Sequence, residues 1–354
     1  MIRRNGYTLS ECAVLMVVIG LLVAILLPML GASRLSQRGM SSSQKLLAIG
    51  QMGMMYAQDN ADRLFTYSWR GGETYIMPWG SKRTPSDDQE ASSYQNQEIL
   101  IRQTGRIYGD FKFQNYTSRL PHRRYSHLVL MDYLDLPFPS ELFIDPSDAN
   151  QLEWASDPLS FSSGSGVPYS EGDAAEGYDD DGNWTTRAVL QRWPFASSYL
   201  PVPDAWQPDR GERYIPVEDT PHLFTDQQYR VQLADGRRLS DVLHNSNKVW
   251  IHEEFDRERA NPLYFGYDDA QAEKLMFDGS VNSWASGIAA PSVVPELGQM
   301  HWQQAYVPID TFPLPVGGLG DDTPVSQRYR WTYGGLSGIN YGSFSFDRAA
   351  QPRD

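Results

Sequence analysis

Nineteen consecutive residues, Cys12 to Leu30 (CAVLMVVIGLLVAILLPML), carry no charge. At a rise of about 1.5 Å per residue, a helix of that length spans roughly 30 Å, the thickness of a bilayer's hydrocarbon core. A helix buried in a protein core is apolar along one stripe, whereas this run is apolar all round. The pattern therefore predicts a membrane-spanning segment. It is longer than the apolar region of a cleaved signal peptide, and no Ala-x-Ala site follows, so the segment is expected to be retained. Arg3 and Arg4 before it are matched by Arg34 and Arg38 after it, so the charge bias leaves orientation nearly undecided.

Beyond the run the pattern changes but stays helical to about Asp62. Leu35, Leu46, Leu47, Ile49, Met52, Met55 and Tyr56 recur at roughly helical spacing, with serines, Gln44, Lys45 and Gln58 between them. This predicts an amphipathic helix whose apolar face, methionines included, packs on a globular domain. Gly31, Gly39, Gly50 and Gly53 weaken the helix locally. Pro28 lacks an N–H and clashes with the preceding turn, which predicts a kink rather than an end. Cys12 reads as a small apolar residue of the run.

After residue 62 proline, glycine and aromatics become frequent and long helical patterns scarce. Ser126–Leu136 predicts a short helix stopped by Pro137. Tyr229–Leu239 alternates around Asp235-Gly236, and Lys274–Trp284 around Asp278-Gly279, so each predicts a hairpin; Lys248–Phe255 predicts a strand. The expected fold is α+β: a long N-terminal helix, membrane anchor plus amphipathic half, packed on an antiparallel β-sheet with large irregular loops. The expected divisions are a leader at 1–6, a transmembrane segment at 7–32, an amphipathic helix at 33–62 and an α+β domain at 63–354.

Composition removes several classes of function. The chain has 354 residues, 41% hydrophobic and 21% charged, enough apolar material to fold. Its formal net charge of −14, from 44 acidic and 30 basic side chains, opposes the basic face that nucleic-acid binding needs. One cysteine excludes a disulfide framework and a cysteine-rich zinc site. No Gly-x-Gly-x-x-Gly, Walker-type loop or Gly-x-Ser-x-Gly elbow is present, and the six histidines form no His-Glu-x-x-His. His252-Glu253-Glu254 comes nearest and is expected to be an exposed polar strand. Asp179, Asp181 and Asn183 offer hard oxygen ligands for calcium, but Leu190 stands where an EF-hand would place its closing Glu, and an acidic surface turn is favoured. No cofactor is expected, and no catalytic residue set can be named. Ten tryptophans and twenty tyrosines make a surface-anchored glycan-binding module the alternative reading.

The residues ahead of the apolar run narrow the choice. A short leader with Arg3 and Arg4 ends at Gly6, and Tyr7-Thr8-Leu9-Ser10-Glu11 leads into the run. Thr8 and Glu11 have the spacing of a capping box. The whole arrangement also resembles the processing site of type IV pilins and the pseudopilins of type II secretion. The resemblance implies that prepilin peptidase cuts between Gly6 and Tyr7, that the new terminus is N-methylated, and that 348 of the 354 residues remain. Glu11 becomes the fifth residue of the processed chain and Pro28 the twenty-second, the family's acidic and helix-kinking positions. Tyr7 stands where the family usually has Phe, and Ser10 where it has an aliphatic residue. Phe143-Ile-Asp-Pro-Ser-Asp148, Ser197-Ser-Tyr199 and Leu275–Val281 look like recurring segments of large members, with Asp145 in place of a common Cys. The implied role is non-enzymatic: a structural subunit of a pseudopilus or pilus-like fibre. Its implied partners are the peptidase, other pilin or pseudopilin subunits and membrane lipid. It would be single-pass in the inner membrane, with its large domain extracytoplasmic.

Overall fold

The computed structural model describes residues 9–106, 125–158, 193–205, 237–259, 262–290, 293–294, 299–300, 302–304, 324–326, 328–330, 332 and 334–342. Helix α1 covers Leu9–Asp59 and passes through Pro28 without a break. A ribbon of β1 (Tyr75–Ile76) and β2 (Lys82–Arg83) precedes α2 (Asp88–Thr104). The Asp87 carboxylate accepts from the Glu90 N–H at 2.8 Å to start α2, and Gly105, at φ 70°, ends it. Helices α3 (Leu128–Leu134) and α4 (Ala149–Ser156) follow; Asp135, at φ 51°, ends α3 two residues before Pro137.

The central sheet is antiparallel and four-stranded. Its order is β3 (Tyr199–Pro201), β4 (Val249–Glu253), β7 (Lys274–Met276) and β8 (Val281–Asn282). Between β4 and β7 the chain forms a separate ribbon of β5 (Phe255–Asp256) and β6 (Leu263–Tyr264). Two more ribbons pair β9 (Val293–Val294) with β10 (Gln299–Met300), and β11 (Trp302–Gln304) with β12 (Pro324–Ser326). The hairpin expected around Asp278-Gly279 is present. Gly279 takes φ 85°, and Asp278 Oδ1 accepts from both the N–H and the Oγ of Ser280. Most of the hairpin expected at Tyr229–Leu239 lies outside the described residues; within its last residues, Arg238 bridges Arg63.

The expected architecture needs two corrections. Among the described residues no helix is long and apolar enough to cross a membrane. This overturns the transmembrane segment at 7–32, and with it the single-pass, inner-membrane placement. Where the side chains of α1 are described beyond residue 37, the helix is not apolar all round: Ser42, Leu46, Ile49, Gly50 and Gly53 are buried while Gln44, Gln51 and Gln58 are exposed. That is the pattern of a rod that covers protein with one face, as expected for the amphipathic helix at 33–62. Nor does one sheet carry the fold: the antiparallel pairing is divided among small sheets, so burial of side chains from many segments replaces a broad packed layer.

The core explains how α1 lies on the sheet. Leu46 and Ile49 join Phe65, Trp250, Leu275 and Phe277 in one buried cluster, with Met52, Met54 and Tyr56 partly buried against it. A Cβ on Gly53 would lie 2.5 Å from Trp250 Cη2, and one on Gly50 would lie 2.9 Å from Leu275 Cδ1. These glycines give up helix propensity so that the helix can approach the sheet closely. Leu47 and Met55, expected on the packed face, are exposed instead, because they project from the opposite side of the helix.

Candidate functional site

A buried polar cluster lies beneath α1, at the end of β4. Strand β4 is buried along its whole length. His252, Glu253 and Glu254 are therefore not the exposed polar strand expected: they are 1%, 0% and 2% exposed. Polar groups in such a position must find partners within the protein. Ser42 of α1 donates to Glu253 Oε1 and lies 3.0 Å from the Tyr199 hydroxyl, and the Glu273 N–H donates to Glu253 Oε2 at 3.1 Å. Glu253 is also within hydrogen-bonding reach of the Asp145 carboxylate. His252 turns the other way. Its Nδ1 lies 2.7 Å from the Glu253 carbonyl, and its ring packs against Phe265 and Tyr329.

Two of the three short segments that extended the resemblance meet at this cluster. Ser197 Oγ and the Ser198 N–H both donate to the Phe143 carbonyl, at 3.1 and 2.9 Å, and Ser198 Oγ donates to Asp148 Oδ2 at 2.8 Å. Arg257 reaches Asp148 Oδ2 at 3.0 Å and Asp145 Oδ2 at 3.8 Å. Lys45 of α1 closes the same edge by donating to the carbonyls of Glu141 and Ile144, each at 2.7 Å. The third segment, Leu275–Val281, supplies β7 and the turn after it.

The electrostatics follow from burial. Burial first, then the nearby Asp145 and Glu258 carboxylates, holds Glu253 well above the usual carboxylate range. Burial, then Asp145 and Asp256, pushes Glu258 up to about 8. Burial also raises Glu273, against a hydrogen bond from Ser43. Lys274 is pushed down to about 8, again chiefly by burial; its Nζ donates to the Ala272 and Trp284 carbonyls at 2.5 and 2.6 Å. In each case burial in low dielectric disfavours the charged form. The arrangement holds Glu253, Glu258 and Glu273 above the usual carboxylate range. Among the described residues, no three His, Cys, Asp or Glu side chains are placed to hold a metal ion.

No family model, characterised protein or solved structure shows detectable similarity to this chain. The family resemblance therefore rests on the residues that carry it. Of these, Gly6 and Tyr7 lie outside the described residues, while Glu11 falls in the first turn of α1 and Pro28 within it. The calcium candidates Asp179, Asp181 and Asn183 also lie outside. Many of the aromatics that prompted a glycan-binding reading are core residues: Trp154, Trp250, Tyr199, Tyr264, Tyr329 and Tyr341 are all fully buried. Sequence reasoning missed Ser42, Asp145, Tyr199, Glu253 and Glu258 as one group. A visible signal was the acidic pair Glu253-Glu254 at the end of a strand that begins with the apolar Val249-Trp250-Ile251.

Proposed function

We propose that this chain is a prepilin-like structural subunit. Prepilin peptidase removes residues 1–6 by cutting after Gly6, and processed copies assemble with other pilin or pseudopilin subunits into a type II secretion pseudopilus or a type IV pilus-like fibre. The observation that carries the reading is the register of Gly6, Tyr7 and Glu11 ahead of the uncharged run from Cys12 to Leu30. Cutting creates an amine at Tyr7, and that amine on one copy is a counter-charge for Glu11 on the next. A carboxylate without a partner among apolar side chains penalises every other stagger, so the pair sets axial register.

A feature of α1 supports assembly through this helix. Met40, Gln44, Leu47, Gln51, Met55 and Gln58 are all exposed. At about 3.6 residues per turn they form one uncharged stripe, opposite the face that rests on the sheet. Nearer the start of α1, Leu15, Met16, Val18 and Ile19 are exposed too, between 48% and 74%. Apolar surface of this extent is what a protein–protein contact covers. Co-expression with a prepilin peptidase should remove six residues, read by intact mass. A chain that keeps them, or a Gly6→Ala variant cut at the same bond, refutes the proposal. Leu47→Glu should fold normally by circular dichroism. It should enter fibres at least about tenfold less, since a charge placed in an apolar contact costs more than 1.4 kcal/mol.

A further inference from the structure

Several elements bring carboxyl groups to α1 between Gly39 and Lys45. Asp145 comes from the Phe143–Asp148 segment, Glu253 from β4, Glu258 from the turn after β5, and Glu273 from the residue before β7. Each has a direct or one-step link to the helix. Ser42 donates to Glu253, which neighbours Asp145, and Ser43 donates to Glu273. The Glu258 chain lies under Gly39, where an added Cβ would sit 3.1 Å from its Cγ. The cations nearby are already directed elsewhere. Arg257 holds Asp148 and Asp145, Arg259 holds Asp256 at 2.6 Å, and Lys45 and Lys274 donate to backbone carbonyls. Tyr199 adds a buried phenol and no positive charge. Glu258 Oε1 is buried with no hydrogen-bond partner among the described residues.

We propose that this cluster is a proton-operated latch between α1 and the domain. While the carboxyl groups keep their protons, the Gly39–Lys45 stretch lies seated on them; when the protons leave, that stretch lifts while the sheet stays folded. The proton kept by Glu253 also supplies a donor toward the Asp145 carboxylate. Deprotonation would set several like charges side by side in a dry contact.

The direction in pH follows from linkage. Glu258, Glu253 and Glu273 are all raised above the ordinary 4.5, so the seated state binds the extra protons. The latch is firmest below the ordinary carboxylate value and weakens as pH climbs toward about 8, where Glu258 titrates in place. Lys274, lowered to about 8, works in the opposite direction only above that pH, so the window between about pH 5 and 8 isolates the carboxyl groups.

Native-state hydrogen exchange on the full chain, corrected for the intrinsic pH dependence of amide exchange, tests the latch. The opening constant of amides around Gly39–Lys45 should rise by up to about tenfold per pH unit for each proton lost, while amides of β4 and β7 keep their protection. Glu258→Gln, which keeps the shape and removes one titrating group, should flatten the rise. Equal protection at both ends of the window, parallel loss in β4, or a variant with the native slope would each overturn the proposal. The series on the native chain decides alone if the variant does not fold.

Discussion

Lys248→Ala is expected to unfold at a much lower urea concentration than the native chain, having lost about 3–5 kcal/mol. Lys248 is 0% exposed and its partner Asp204 4%. Its Nζ donates to Asp204 Oδ2 at 2.6 Å and to Thr332 Oγ1 at 2.5 Å. Thr332 Oγ1 also accepts from Asn340 Nδ2 at 2.7 Å, and Asn340 Oδ1 accepts from the Val249 N–H at 2.9 Å. One ammonium group thus ties the segment around Asp204, the start of β4 and the stretch near Asn340 into a single buried network. Removing it leaves the Asp204 carboxylate in low dielectric without the lysine. The loss is a large share of the about 5–15 kcal/mol that holds a domain folded. The double variant Lys248→Met with Asp204→Leu should recover most of it, because a well-packed apolar pair replaces a buried ion pair at little cost. Urea midpoints of the two variants check this, and a double variant as weak as the single one would contradict it.

Trp250→Ala should cost a comparable amount, about 3–5 kcal/mol, through the cavity it leaves. The indole is 1% exposed, stacked on Phe277 with centroids 5.2 Å apart, and tilted against Phe65 at 5.7 Å. It is also the surface on which Gly53 of α1 rests. Gly53→Ala gains about 1 kcal/mol of helix propensity but drives its Cβ to 2.5 Å from a ring held on both sides, an overpacking that costs about 1–3 kcal/mol. The clash should win in the native chain. In the Trp250→Ala background the nearest obstruction is gone, leaving Phe65 Cε1 at 3.2 Å, so the cost of Gly53→Ala should fall toward neutral. Thermal unfolding of the four chains gives the coupling directly, expected at about 0.5–3 kcal/mol; additive effects would mean that helix and indole do not press on each other.

These two sites show where reading the sequence stopped. The Ser126–Leu136 pattern located α3, and Asp278-Gly279 located the β7–β8 turn, because periodicity and turn chemistry are local. Lys248–Phe255 was legible as a strand, but not as one buried along all of Val249–Glu253. Alternation of polar and apolar residues signals one wet face. It cannot show that α1 covers that face and that Ser42, more than two hundred residues away in the chain, supplies the hydrogen bond. The pairing of Lys248 with Asp204, 44 residues apart, is invisible for the same reason. The apolar run after Glu11 was legible as composition, and the membrane crossing inferred from it was not upheld, since no helix among the described residues meets both length and apolarity.

Taken alone, the order of residues determined the acidic balance, the lone thiol, the motif at Gly6, Tyr7 and Glu11, and the places where short elements begin and end. Those properties depend on neighbours within a few positions. The tertiary structure decided which face of α1 is covered, why Gly53 has no side chain, and that Glu253 and Glu258 are raised above the usual carboxylate range. Each of these depends on the dielectric and the free space that distant segments create together, and neither exists until those segments meet.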